Sequence, residues 1–167
     1  MPKIIRMSFR EKIVPWANLP EWRAAMRSSG HKVVVTNGCF DLLHLGHVTY
    51  LEEARKQGDV LLVGVNSDKS VRELKGPGRP LNAEQDRAAV LASLESVQAV
   101  CIFEERSANR FLAAAQPDIY VKGGDYSVET INQEERKIVE QAGGRVVILP
   151  IVSGKSTTAL LKKMVRS

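Results

Sequence analysis

The chain has 167 residues, of which 44% are hydrophobic and 26% charged, a balance typical of one globular domain with a proper core. No apolar run approaches the ~20 residues that a membrane-spanning helix needs. The first residues hold no apolar stretch typical of a secretory signal. We therefore expect a cytoplasmic protein with no membrane partner.

The net charge of +5 indicates an anionic partner. A nucleic-acid surface is disfavoured because the cations are scattered and aromatic residues make up only 5% of the chain. Small phosphorylated substrates account for the charge equally well, and we expect no nucleic-acid partner.

Residues 1–31 are predicted to be a helical lead-in to the main domain. Pro15 and Pro20 break any long helix, and Leu19 opens a short helix that ends before Gly30. Trp16 and Trp22 are expected to be buried, packing this segment onto the domain or onto a second subunit. We therefore expect a homo-oligomer, a dimer or larger.

From residue 32 onwards, strand patterns and helix patterns alternate. The predicted strands are residues 32–36, 60–66, 97–103, 118–121 and 145–149, and the predicted helices are 47–57, 82–94, 107–115, 134–141 and 156–164, with Asn82 and Gln85, Ser107 and Ser156 as capping residues. This alternation predicts one α/β domain over residues 32–167, with a Rossmann-like, doubly wound, five-stranded parallel sheet.

The loop after the first predicted strand contains the strongest candidates for functional residues. His44 and His47 lie on one face of a helix start, where unpaired N–H groups and the helix dipole favour a phosphate. Gly46 between them lets a flat nucleotide lie against the backbone. The pair could also be structural or hold a metal ion, but no third ligand is obvious nearby, so we expect no metal site.

Three further loops follow strands and should meet the first one at the carboxyl edge of the sheet. They contain residues 66–79, 122–126 and 153–158. The last loop is not a Walker A motif, because Leu149 stands where that motif needs a glycine. Its Ser156, Thr157 and Thr158 hydroxyls and the following helix start can still bind a terminal phosphate.

Several residues leave alternatives open. Arg87 either pairs with Glu84 or another acid at the surface or clamps a phosphate. Asp41 and Asp125 either organise loops or contact Mg²⁺, sugar or base. Cys39 and Cys101 are predicted to be small buried residues. No nucleophile–base pair stands out, which suits a transfer reaction that needs only positioning, cationic donors and Mg²⁺ on the phosphates.

The ordered set Thr-x-Gly-x-Phe-Asp-x-x-His-x-Gly-His at residues 36–47 resembles the signature of the nucleotidyltransferase superfamily. Segments 74–80 and 121–126 further resemble those of the heptose 1-phosphate adenylyltransferases. This resemblance implies a HIGH-type nucleotidyltransferase fold. It implies AMP transfer from ATP to D-glycero-β-D-manno-heptose 1-phosphate, giving ADP-heptose and pyrophosphate for lipopolysaccharide inner-core or related glycan precursors. It also implies a stand-alone form served by a separate heptose kinase.

The resemblance assigns roles residue by residue, with ATP as substrate and Mg²⁺ as cofactor. It makes His44 and His47 catalytic, and Lys75 is a further catalytic candidate because of its charge. Nucleotide binding is expected of Thr36, Asn37, Gly38, Phe40, Asp41, Gly46, Arg87, Lys122, Gly123, Asp125, Ser156, Thr157 and Thr158, and sugar-phosphate binding of Asn66, Asp68, Lys75 and Arg79. Two rival functions are a cytidylyltransferase for glycerol 3-phosphate or another polyol phosphate, and a non-catalytic nucleotide-binding module.

Overall fold

A computed structural model describes residues 7–124, 126–150 and 152–165. Its sheet has five strands, β1 (Val33–Gly38), β2 (Val60–Asn66), β3 (Ala99–Phe103), β4 (Ile119–Gly123) and β5 (Arg145–Leu149). All neighbouring strands pair in parallel, in the spatial order β3-β2-β1-β4-β5. The predicted five-stranded parallel sheet is confirmed.

In the described residues, seven α-helices connect and flank the strands. They are α1 (Leu19–Ser28), α2 (Leu45–Arg55), α3 (Asp68–Lys75), α4 (Glu84–Ala92), α5 (Asn109–Ala115), α6 (Gln133–Gln141) and α7 (Thr157–Val165). The sequence did not predict α3, whose first turn is capped by the Ser67 hydroxyl accepting from the Ser70 N–H at 3.2 Å. No helix in the described part of the chain is long and apolar enough to cross a membrane.

Two of the three predicted helix caps are wrong. Helix α4 starts after Ala83 without a side-chain cap, because the Asn82 amide instead donates to the backbone oxygen of Asp41. Helix α5 starts after Ala108, so Ser107 does not cap it. The cap by Ser156 is confirmed, since its hydroxyl accepts from the Ala159 N–H at 3.0 Å.

Helices cover both faces of the sheet, as a doubly wound fold requires. Alternate residues of β1 point to opposite faces, so Val33 and Val35 join one buried cluster and Val34 joins the other. Helices α1, α5 and α6 contribute Leu19, Phe111, Leu112 and Val139 to the first cluster, and α2 and α4 contribute Leu51, Ala54, Ala88 and Leu91 to the second. This two-sided burial explains why the central strands are almost entirely apolar.

The described part of the lead-in, residues 7–31, packs against the same core. Two short 3₁₀ turns, Phe9–Lys12 and Trp16–Asn18, precede α1. Between them the Val14 N–H donates to the Val100 oxygen at 2.8 Å, beside β3. Trp16 and Trp22 are half-buried and contact the first cluster. The lead-in therefore completes the domain, and its contact with a second subunit stays a prediction.

Candidate active site

A cavity of about 840 Å³ opens at the carboxyl ends of the strands. The chain runs outwards from β1 to β2 and β3, then returns to place β4 on the other side of β1. Ligands of parallel sheets bind at such a switch point. The predicted site residues that line the cavity are Thr36, Asn37, Gly38, Phe40, Asp41, His44, Gly46, His47, Asn66, Lys75, Arg79, Lys122, Gly123, Ser156, Thr157 and Thr158.

The two histidines form the first turn of α2. The Nδ1 atom of His44 accepts from the Gly46 N–H at 3.1 Å, and Nδ1 of His47 accepts from the His44 N–H at 3.4 Å. Their ring centroids are 3.8 Å apart. A Cβ at Gly46 would lie only 2.9 Å from the His44 ring and 3.2 Å from the Lys155 Cβ. Glycine is therefore needed for this close packing.

Both imidazoles are neutral at pH 7. Burial, reinforced by the neighbouring His44, lowers the pKa of His47 to about 4. Burial and the charge of Lys155 also lower the pKa of His44. Because Nδ1 of each ring accepts a hydrogen bond, the single proton of each neutral ring sits on Nε2. The pair thus supplies two Nε2–H donors, and the positive charge of the site must come from other residues.

Five cationic side chains line the cavity, and three of them have no carboxylate partner among the described residues. Arg79 pairs with Asp41 at 2.7 Å, and Lys122 pairs with Glu135 at 3.3 Å. The unpaired cations are Lys75, Arg106 and Lys155. Arg106 was not predicted as a site residue, and Lys155 lies in the predicted loop of residues 153–158 but had no role of its own, although both follow strands at the predicted edge. The cavity therefore carries an excess of positive charge suited to phosphates.

Asp41 organises the loop beside the cavity, which was one of its two expected roles. Its carboxylate accepts from the Leu81 N–H at 2.8 Å, from the Asn82 N–H at 3.0 Å and from Arg79. Burial alone would raise the pKa of Asp41, but these hydrogen bonds more than offset it and hold the pKa below its usual value. The carboxylate is therefore fully engaged by the protein.

Arg87 lies beneath the cavity and does not line it. Its side chain is only 2% exposed and donates to three backbone oxygens, of Asn82 at 2.9 Å, Cys39 at 2.6 Å and Asn66 at 2.8 Å. It also pairs with Asp68 at 2.8 Å. Arg87 therefore pairs with an acid, as one of its two expected roles required, but the partner is Asp68 and the guanidinium is buried; it does not line the cavity as a phosphate clamp would. Asp68 likewise serves Arg87 and does not reach the cavity, so both residues support the loops that carry the site.

Two tyrosines that were not predicted as site residues, the buried Tyr120 and the half-buried Tyr50, hold two of the cavity residues in place. The Tyr120 hydroxyl lies 2.7 Å from the Asn37 side-chain oxygen and 2.9 Å from a carboxylate oxygen of Glu135. The Tyr50 hydroxyl donates to the Val121 oxygen at 3.0 Å and lies 2.7 Å from the Thr36 hydroxyl. Tyr50 could have been predicted as a residue near the site, because it lies one helical turn after His47.

The cysteines offer no nucleophile. Cys101 is buried as predicted, but Cys39 is only half-buried and lines the cavity. Burial raises the pKa of both thiols, that of Cys101 to about 12. Both therefore stay protonated at neutral pH.

The start of α7 closes one side of the cavity. The Thr157 hydroxyl donates to the Leu42 oxygen at 3.2 Å, which links α7 to the loop before α2. None of the described residues of α7 is fully buried. Two helix starts, at Leu45 and Thr157, thus border one cavity, and the positive ends of both helices favour an anionic ligand there. Asp125, the remaining predicted contact, lies outside the described residues.

The part of the cavity that the structure describes provides no ready protein site for a divalent metal ion. Within the described lining the only carboxylates are Asp41 and Glu135, and both are engaged in hydrogen bonds and ion pairs. No group of three His, Cys, Asp or Glu side chains in the described ranges could hold a metal.

A doubly wound parallel sheet with a cationic cavity at its switch point defines an α/β protein that binds phosphorylated ligands. The chain belongs to the cytidylyltransferase-like family, to which residues 35–161 match. The enzymes of this class transfer nucleotidyl groups, as the sequence predicted.

Curated relatives include the bifunctional protein HldE of Koribacter versatilis, 51% identical over 91% of this chain and 31% of that protein. The bifunctional protein HldE of Trichlorobacter lovleyi is 51% identical over 87% of this chain and 29% of that protein. The chain thus spans less than a third of the length of these relatives.

Two solved structures share the fold. The lipopolysaccharide core biosynthesis protein of Thermoplasma volcanium matches with a TM-score of 0.62 and 30% identity, over 75% of this chain and all of that one. Pantoate-beta-alanine ligase of Francisella tularensis, in complex with an ATP ligand and beta-alanine, matches with a TM-score of 0.53 and 12% identity, over 93% of this chain and 79% of that one. The second likeness shows the fold alone.

Proposed function

We propose that this chain transfers AMP from ATP to D-glycero-β-D-manno-heptose 1-phosphate, giving ADP-heptose and pyrophosphate. The observation that carries the proposal is the pair of neutral Nε2–H donors at the start of α2, beside Lys155 and the start of α7. Family membership and the lipopolysaccharide relative support the choice of reaction. ATP use fits a cytoplasmic location, and a separate kinase would supply the sugar 1-phosphate.

The reaction needs no covalent bond to the protein. An oxygen of the sugar phosphate attacks the α-phosphorus of ATP, and the bond from that phosphorus to the bridging oxygen of pyrophosphate breaks in line. Negative charge builds on the α-phosphate oxygens and on the leaving group, where fixed donors stabilise it most. Mg²⁺ that arrives with ATP supplies further charge neutralisation on the phosphates.

We propose separate places in the cavity for the two substrates. We assign the sugar phosphate to the β2 side, where Lys75, Arg79 and Asn66 line the wall. The nucleotide takes the β4 side, with Lys122 and Gly123. His44 and His47 then stand at the α-phosphate between them, and Ser156, Thr157 and Thr158 hold the departing pyrophosphate at the start of α7.

The test is a pyrophosphate-release assay that compares ATP, CTP and GTP, each with heptose 1-phosphate and with glycerol 3-phosphate. We expect ATP with the heptose phosphate to be preferred, and the His44→Ala/His47→Ala double variant to serve as the inactive control. Equal or faster turnover with CTP and glycerol 3-phosphate would favour the polyol cytidylyltransferase. Nucleotide binding without pyrophosphate release from any pair would favour the non-catalytic module.

A further inference from the structure

A second cavity, of about 270 Å³, lies at the amino ends of the strands, whereas the candidate active site lies at their carboxyl ends. It forms where α1 ends and where β1 and β4 begin. Its lining is strongly basic and consists of Arg23, Arg27, Gly30, His31, Lys32 and Asp118. No part of the proposed reaction uses these residues.

Arg23 is the buried wall of this cavity, and its guanidinium is incompletely bonded. The residue is 4% exposed. Its Nε–H donates to the Gln116 oxygen at 2.9 Å and Nη2 donates to Asp118 at 3.1 Å. The buried Nη1 group has no hydrogen-bond partner. Buried side-chain donors without a partner are rare in native proteins, so this one calls for a ligand or a water molecule.

The surroundings of Arg23 are short of negative charge. Asp118 is the only carboxylate in the lining, and it already accepts from the Val33 N–H at 2.7 Å as well as from Arg23. Burial lowers the pKa of Arg23; Asp118 opposes this effect and the positive charge of Arg27 adds to it. Arg27 donates only to the neutral side chain of Gln116, at 3.1 Å. The Lys32 ammonium has no acidic partner among the described residues.

We propose that this second cavity binds a small oxyanion, a phosphate or carboxylate group, between the buried Arg23 guanidinium and the side chains of Arg27 and Lys32. A guanidinium matches the geometry of such oxyanions with two parallel N–H donors. Arg27, His31 and Lys32 are exposed, so their side chains can move aside to admit the ligand and then close on it. The cavity volume suits a single anionic group or a small metabolite that carries one.

The experiment is a residue-resolved NMR titration of the full chain with inorganic phosphate. Phosphate is expected to bind both cavities, and the amide signals separate them: Gly30 and Lys32 report on the second cavity and Gly46 on the candidate active site. We expect saturable shifts at Gly30, at Lys32 and at the Arg23 Nε–H. A parallel titration with acetate distinguishes the two kinds of oxyanion. If acetate produces the same shifts at Gly30 and Lys32, the cavity binds carboxylates as well as phosphate; if it produces none, the cavity is specific for phosphate.

Variants in the exposed part of the lining complete the test without disturbing the core. The Arg27→Gln/Lys32→Gln double variant should weaken phosphate binding at Gly30 by about tenfold or more, with the Gly46 response unchanged. Arg145→Gln, at the exposed start of β5 on the same sheet edge, is the matched control and should change neither response. The proposal is wrong if phosphate moves Gly46 but not Gly30, since water then satisfies Arg23, or if the double variant binds phosphate at Gly30 as the unmodified chain does.

Discussion

The first turn of α2 fixes which nitrogen of each histidine carries the proton. Backbone N–H groups occupy both Nδ1 atoms, so neither ring can turn its acceptor towards a phosphate without breaking a helix cap. A preorganised neutral donor needs no proton to be taken up before the reaction. The two imidazoles should therefore stabilise the transition state strongly and contribute little to ground-state binding of ATP.

Removing either imidazole should therefore slow turnover more than it weakens ATP binding. We expect His44→Ala and His47→Ala each to lower kcat by about 10²–10³, with a smaller change in KM for ATP and with the fold intact. Steady-state kinetics with His31→Ala as the control checks this. A strong rise in KM with kcat maintained would show that the histidines only bind nucleotide.

The low pKa of His47 also makes stability depend on pH. The unfolded chain binds a proton near pH 6.5, whereas the folded chain resists protonation until about pH 4. The unfolded state therefore binds more protons in this window, and stability should fall as the pH drops from 6.5 towards 4. His44 acts in the same direction. The fall in Tm over this range should be smaller in His47→Gln; an equal fall in both proteins would contradict the assignment.

Arg87 should contribute to stability and not to charge in the site. Arg87→Met removes the donor to three backbone oxygens, at the ends of β1 and β2 and before α4, of which the Asn66 oxygen is buried and the other two are partly buried. We expect a loss of about 3 kcal/mol in the free energy of unfolding, measured by urea denaturation. The exposed Arg72→Met on α3 is the control and should change stability by less than about 0.5 kcal/mol. A loss as small as the control's would refute the anchoring role.

At the scale of elements, α1 packs against α5 and belongs to the domain core through Leu19, which is fully buried in the first cluster. Leu19→Ala should cost about 2–5 kcal/mol through lost burial and the cavity left behind. Val90→Ala, at an exposed position of α4, is the matched control. Thermal unfolding distinguishes the two, and similar Tm values for both variants would mean that the lead-in is dispensable. Sedimentation of a chain lacking residues 1–28 tests the predicted subunit contact.

At the scale of the whole molecule, the sheet could be predicted because each central strand is covered on both faces. That burial requires continuous apolar runs such as β2, which stand out in any sequence. The position of the site could then be predicted as well, because the carboxyl ends of parallel strands meet on the same side of the sheet. Most of the predicted site residues line one cavity for this reason.

The predictions were wrong where a contact between residues distant in sequence determines the local structure. Asn82 has the side chain of a helix cap, but Asp41, distant in sequence, takes both its amide and its backbone N–H. Arg87 is drawn inwards by carbonyl groups at the ends of two strands, which no local pattern reveals. Helix α3 is short and strongly polar, so its Val71 and Leu74 give only a weak apolar face.

The single hydrogen bond from Thr157 to Leu42 has a consequence for local opening of the chain. Helix α7 buries no residue fully, so its amide hydrogens should exchange with solvent through a low-energy local unfolding. A triphosphate that bridges the starts of α2 and α7 would add a second link between them and raise the energy of that opening. Hydrogen–deuterium exchange in α7 should therefore slow when ATP binds, while exchange in the buried strand β2 stays the same.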